Sequence, residues 1–353
     1  MDLSKVTVRS MKDGEQKEMQ KVGRKAFQFV EALFVGRPGK AMVAEYEGKI
    51  VGGIIYKDLN TRKKRIAYID EAFVDPDYHG LGIGKKLYTE TFDALWKQNY
   101  HVLTALVKDD NVGSWKPFQD NGFKRVSVWQ MIKEIGIAGF LKHYLATPYL
   151  IALGMDFYMC GREHAIREKG KIPLQIFFYF FVNLLLLFPL WIRLYHRDAG
   201  SFLWSFLAYG TLLALFIMSR YAGKIISKNK GKFRLNQGGS FLLLLLAFFG
   251  NVFFMNANWY PEKYENTDEF RKGLAIPEII KWFLFVLLPW VGMIPNSYCQ
   301  ALGHLAQAFL IFIIIPFYPF EAFGGGRIYR YKKKLWLVMV IVTAAECFLI
   351  SCL

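Results

Sequence analysis

Hydrophobic positions follow two different patterns along this chain. Over the first 134 residues apolar and polar positions interleave in short runs, whereas long uncharged stretches dominate the remainder. Residues 172–192, 201–218, 240–257, 282–299 and 305–320 contain no Asp, Glu, Lys or Arg, and 335–353 contains only Glu346. Apolar runs of roughly 17–25 residues match the length needed to cross a hydrocarbon layer. The second pattern therefore predicts an all-α polytopic membrane domain of five to six spans over 172–353.

The first pattern predicts alternating strands and helices. KVTVRS reads as a strand and Glu15 to Phe34 as a helix, with apolar residues at Met19, Val22, Phe27, Val30 and Leu33. AMVAEYE and IVGGIIYKDL flank a hairpin turn at Glu47-Gly48-Lys49. A strand from Arg65 to Val74 ends at Asp75-Pro76-Asp77, a helix runs from Gly84 to Lys97, and HVLTALV is a strand. A short helix over Val112 to Asn121 and a last strand, FKRVSVWQMI, complete an α/β domain at 1–134 with a mixed central sheet. Between the domains, 135–171 is read as an interfacial linker: Ile135 to Met155 is apolar, with Lys142 and His143 its basic residues.

Charge sharpens the membrane reading. The chain has 353 residues and a net charge of +16, which alone would admit nucleic acid as a partner. The basic residues instead gather beside the spans, at Arg162, Arg167, Lys169 and Lys171, at 220–234, and at 327–334. That is the positive-inside pattern of a multi-pass cell-membrane protein, and it argues against nucleic acid. The N-terminus is polar and lacks the apolar core of a signal peptide, so the first domain is expected in the cytoplasm. The topology carries one conflict. If 279–295 and 302–320 both crossed, the basic stretch 327–334 would lie outside, so one of the two must dip in and return; 279–295, broken by Pro289 and Gly292, is the expected one. Cys160, Cys299, Cys347 and Cys352 show no metal or disulfide spacing.

The chemically informative segment is FVDPDYHGLGIGKKLY. A strand stops, Gly80, Gly82 and Gly84 follow, and a helix starts at once, so backbone N–H groups and the helix start converge on one point that suits a pyrophosphate. Lys85 and Lys86 lie in the first helical turn. Several strands and a helix precede this turn, which separates it from a dinucleotide fold, and no Gly-Lys-Ser/Thr marks a Walker loop.

With these residues in place, 5–133 resembles the GNAT superfamily of acyl-CoA N-acyltransferases. The family motif of a strand ending in Val-x-Pro, then Arg/Gln-x-x-Gly-x-Gly/Ala, is matched by Val74-Asp75-Pro76 and by His79, Gly80, Leu81, Gly82, Ile83 and Gly84. Its second motif resembles Asn111 to Ser114, then Phe118 and Gly122-Phe123. The resemblance implies acetyl-CoA as co-substrate, its pantetheine arm along a splayed strand at Phe73 and Val74, and its diphosphate on 79–84 with Lys85 near. Asn111 and Ser114 would approach it from the second motif. It also implies direct attack of an amine on the thioester, with a backbone N–H near Val74 on the oxyanion and Glu71 or Asp70 as base, Glu71 preferred. Two departures stand out: His79 replaces Arg/Gln, and Phe118 replaces the tyrosine that often protonates the thiolate.

From about residue 202 the chain is similar to site-2 proteases, intramembrane zinc metalloproteases, in a form that lacks the metal ligands. The histidine motif corresponds to Ser219-Arg220-Tyr221-Ala222-Gly223-Lys224, and the second motif to 316–328. Zinc hydrolysis needs two imidazoles one turn apart and a glutamate, so no metal and no proteolysis are expected. The whole reads as a membrane-bound N-acetyltransferase. Its acceptor would be a lysine or N-terminus of a membrane protein, an amino-lipid or a small amine. The competing reading is an acetyl-CoA sensor on a pseudoprotease adaptor.

Overall fold

A computed structural model describes residues 2–27, 32–108, 112–147, 154–163, 165–166, 171–189, 192, 199–228, 231–249, 254, 257–261, 265, 267–317 and 320–352. The chain divides into two compact units, one gathering 1–107, 113–149 and 156–169, the other 170–353 with the short stretches 108–112 and 150–155.

The first unit is a seven-stranded sheet in the order β1-β2-β3-β4-β5-β7-β6. Its elements are β1 (Val6–Ser10), α1 (Gln16–Ala26), β2 (Ala41–Tyr46), β3 (Lys49–Asp58), β4 (Ile66–Val74), α2 (Ile83–Lys97), β5 (Val102–Lys108), α3 (Val112–Asp120), β6 (Lys124–Val126), α4 (Val128–Ala146) and β7 (Met155–Gly161). Strands β1 to β4 pair antiparallel, and β5 joins β4 in parallel. The hairpin turn is where the sequence places it: Glu47 and Gly48 both have positive φ, 49° and 78°, which matches the twist of the flanking strands.

The last strand differs from its expected form. Only Lys124–Val126 is extended, and VWQMI opens α4. Ser127 decides this: its side chain accepts a hydrogen bond from the Gln130 N–H at 3.2 Å and so caps a helix. The helix buries Met131 and Ile135 among Tyr68, Val102, Val126 and Phe157. Residue 134, the expected end of the domain, therefore lies within a helix of this unit, and β7 pairs with β6 beyond it. His143 of α4 is fully buried, its Nε2 2.9 Å from Thr104 Oγ1, and burial pushes the imidazole down to about 3, so the ring is neutral.

The second unit contains α5 (Ile172–Leu186), α6 (Ala199–Ser227), β8 (Gly231–Leu235), α7 (Ser240–Phe248), β9 (Ala257–Pro261), α8 (Asp268–Val291), α9 (Ser297–Ile314), α10 (Gly325–Tyr331) and α11 (Lys333–Cys352). Among the described residues four helices are long and apolar enough to cross a membrane: 200–227, 268–291, 297–314 and 333–352. The expectation of five to six spans is thus corrected to four. Helix α5 has 15 residues, and α7 has nine, which at 1.5 Å per residue rises only about 14 Å. Antiparallel pairing of β8 with β9 then brings 257–261 back beside 231–235. The stretch 279–291, expected to dip and return, is continuous in α8 despite Pro289. Arg220 and Arg327 meet at Glu278, so the basic stretches that follow α6 and precede α11 lie at the same end of these helices.

Candidate active site

Strand β4 is where the sheet opens. Its pairing with β5 covers only Ile66–Ile69 against Val102–Ala105. Past Ile69, the strand from Glu71 to Val74 stays in register with β3 alone, Glu71 opposite Ile55 and Val74 opposite Gly52. The two parallel strands splay, leaving a gap on the β5 side. Asp75 N–H donates to Val51 O at 2.8 Å, toward β3. By strand alternation the Val74 N–H points the other way, into the gap.

The register shift between Ile55 and Tyr56 leaves Asp70 as the extra residue of a bulge, which separates the fates of the two candidate bases. Asp70 turns to Lys57, at 2.7 Å, and forms an ion pair. Glu71 shares a face with Phe73, which packs in the α1-side cluster with Met19, Val22 and Ile55. Its Oε2 is buried without a hydrogen-bond partner. Burial, reinforced by the charge of Asp70 and opposed by Lys57, pushes the Glu71 carboxyl up to about 7.

On the other side of β4, Val74 faces α2: a Cβ on Gly84 would lie 3.7 Å from a Val74 methyl. The glycine loop meets the strand end there. Gly80 and Gly82 have φ of 78° and 81°, a left-handed conformation that L side chains rarely adopt, and Gly82 is the N-cap of α2. No side chain caps this helix start, and such an uncapped N-terminus suits an anion. Leu81 and Lys85 are exposed, whereas Ile83 is buried and fastens the helix start to the core. His79 does not reach outward: its Nε2 lies 2.9 Å from Val74 O, tying the loop to the strand. Lys86 points back to Val6 O, at 2.6 Å. Ser114 sits half-buried in the first turn of α3, and Asn111 lies outside the described residues. Phe118 is buried edge-on to Tyr88, with ring centroids 5.2 Å apart, in a cluster with Phe92 and Phe123.

The second unit holds a charged centre that the sequence did not announce. Glu278 of α8 is fully buried and accepts from Arg220, from Lys281 at 2.8 Å and from Arg327 at 3.3 Å. Lys281 also donates to the Phe323 carbonyl. Only the spacing of Glu278 and Lys281, three apart at the start of an apolar helix, hinted at it. Among the described residues no group of three or more His, Cys, Asp or Glu is placed to hold a metal. At the positions likened above to a histidine motif the donors do not fit zinc: Arg220 is a cation, and Ser219 donates to Phe216 O at 2.7 Å. Gly223 abuts Pro277 so closely that a Cβ there would come within 2.7 Å of Pro277 Cα, which leaves no room for histidine. His304 is exposed, and the Glu346 side chain is buried.

Comparison with known proteins agrees with the first unit. Residues 8–123 match the model of the acetyltransferase (GNAT) family. The N-terminal part of the chain therefore carries a GNAT domain, a mixed sheet with helices. A curated relative, an uncharacterized N-acetyltransferase of Methanocaldococcus jannaschii, is 32% identical over 100 residues, which are 26% of this chain and 44% of the relative. The match thus spans less than half the length of that relative. Among solved structures, ribosomal-protein-S18-alanine N-acetyltransferase of Escherichia coli is 17% identical over 47% of this chain and 99% of its own, with a TM-score of 0.32. N-acetylglutamate synthase of Neisseria gonorrhoeae, in complex with coenzyme A and N-acetyl-glutamate, is 17% identical over 46% of this chain and 35% of its own, also at 0.32. Likeness at these scores carries no functional argument.

Proposed function

We propose that this chain is a membrane-bound N-acetyltransferase that moves acetyl from acetyl-CoA to an amine at the cytoplasmic face of the cell membrane. The carrying observation is the juxtaposition at β4: a gap between splayed strands, an N–H aimed into it at Val74, an anion cradle at Gly82 to Gly84, and a poised carboxyl at Glu71. Phe73 and Val74 would hold the pantetheine arm, and His79 to Lys85, with Asn111 and Ser114, the diphosphate end. Bound there, acetyl-CoA supplies an activated acetyl group. Glu71 accepts the proton that an incoming ammonium must lose, and its pKa near neutrality suits that work. Lys57, paired with Asp70, limits how far the Asp70 charge raises Glu71.

Membrane placement is supported by the four apolar helices and by the part of α4 beyond its non-helical break at Gly136, where Ile137, Leu141 and Leu145, four residues apart, are all at least half exposed. Such an apolar face suits the interface and an acceptor held there: a lysine or N-terminus of a membrane protein, an amino-lipid or a small amine. The site-2-protease-like reading of the membrane unit rests on the sequence resemblance, whose two segments contain Arg220 and Arg327, the partners of Glu278. Phe118 favours a second reading, an acetyl-CoA sensor, because a phenyl ring has no proton to give the leaving thiolate.

Full-length protein in vesicles containing phosphatidylethanolamine, supplied with labelled acetyl-CoA and a panel of amines, tests the proposal. Acetyl transfer is expected, Glu71→Gln should reduce turnover by about 10²–10⁴-fold with acetyl-CoA affinity kept, and Asp70→Asn should matter less. Cofactor binding without transfer to any acceptor would favour the sensor.

A further inference from the structure

A narrow cleft opens in the membrane unit beside the buried charge centre, and its wall is chemically one-sided. Arg220, Lys224, Ser227, Trp259 and Arg327 line it together with small or apolar groups, and no carboxylate is among the described lining residues. These residues come from three separate parts of the chain, α6, β9 and α10, so the convergence is a product of the fold and not of one basic run.

The side chains are held. Arg220 and Arg327 are 1% and 5% exposed, and both donate to Glu278, which stands behind the wall and is itself fixed by Lys281. Lys224 lies with its ammonium 3.9 Å from the centre of the Trp259 ring, which keeps the charge directed without neutralising it. Opposite, Gly273 and Pro277 supply a wall of little bulk. Two guanidinium groups, an ammonium and a hydroxyl on one preorganised surface match the tetrahedral, multiply charged oxygens of a phosphate better than a planar carboxylate.

Depth along the helices fits the same ligand. Arg220 precedes the end of α6 at Ser227 by seven residues, about 10 Å at 1.5 Å per residue, and Lys224 lies nearer that end. The cleft therefore lies toward the end where the basic stretches gather, the level at which phospholipid headgroups lie.

We infer that this cleft is a binding site for a phosphate oxyanion, presented by an anionic phospholipid headgroup or as a free phosphate, and separate from the acetyl-CoA cleft. Full-length protein in phosphatidylcholine nanodiscs, with and without a fraction of phosphatidic acid, is assayed for retained lipid by native mass spectrometry and for inorganic phosphate by calorimetry. Lys224→Gln leaves the Glu278 centre intact and should weaken binding by about tenfold or more, the worth of a charge-assisted hydrogen bond. Lys334→Gln, an exposed cation that is not part of the cleft lining, serves as control and should change nothing. Loss of retained phosphatidic acid in Lys224→Gln alone assigns a lipid headgroup; loss of inorganic phosphate binding alone assigns a free anion. If neither probe binds, or both variants weaken binding equally, no such site exists.

Discussion

Two neighbouring carboxylates show how much one backbone irregularity decides. Alternation along a regular strand sets Asp70 and Glu71 on opposite faces, and that much was legible from the sequence. The bulge was not, and it is what gives Asp70 to Lys57 and leaves Glu71 buried beside the gap. A base with a carboxyl near 7 has a measurable signature. Turnover should rise with pH through about 7, and Glu71→Gln should flatten that limb of the kcat/KM profile. Stability moves oppositely. The folded carboxyl holds its proton more tightly than the unfolded one, so this group's contribution is fully present below about pH 4.5 and is lost as pH rises to about 7.

At the scale of elements, the strands and helices with strong local signals were read correctly. β1 to β5, α2 and α3 sit where alternation, glycine turns and helical periodicity put them, whereas the helix expected over Glu15 to Phe34 ends at Ala26 with Phe27 extended, and Val30 lies outside the described residues. Misreading began where the local signal was ambiguous. FKRVSVWQMI alternates well enough for a strand, but a single serine cap turned half of it into a helix. The apolar run 240–257 has the composition of a span, and only a long-range pairing, β8 with β9, shows that it returns. Close helix approach is equally invisible in composition. Gly223 of α6 is pressed against Pro277 of α8, whereas Gly210 of the same helix has nothing within 4 Å. Gly223→Ala should therefore cost roughly 1–3 kcal/mol by overpacking, seen as a lowered midpoint of unfolding in detergent. Gly210→Ala should be neutral or mildly stabilising, since alanine is the better helix former.

For the whole molecule, the arrangement of the membrane unit fixes which loops share a side. α6, α8, α9 and α11 form an alternating set, so the α8–α9 turn around Asn296 belongs to the end opposite Lys334. The positive-inside rule would place Lys334 and the β8–β9 ladder in the cytoplasm, and a cytoplasmic first unit would then need one further crossing ahead of α6, by the apolar stretch 172–192. Single cysteines introduced at Asn296, Lys232 and Lys334 in a cysteine-free background test this in intact cells. A membrane-impermeant maleimide should label the first from outside and the other two only after lysis. Labelling of Lys232 and Lys334 from opposite sides would reinstate a full crossing by 240–257. Of the two candidate sites, the one on β4 was legible because its glycines and its proline sit in one continuous segment. The charge centre was not, because Arg220, Glu278 and Arg327 are brought together from far apart by helix packing alone.

The splay between β4 and β5 has one more consequence. The anion cradle joins β4 on its α2 side and Glu71 stands on its α1 side, so the gap is a passage through the sheet with a different entrance on each face. On the proposed function, a donor seated from one entrance would leave the other open, so that both reactants could occupy the passage together. Order of arrival then becomes a matter of affinity and not of obstruction, and the acetyl group has no need to rest on the protein between them.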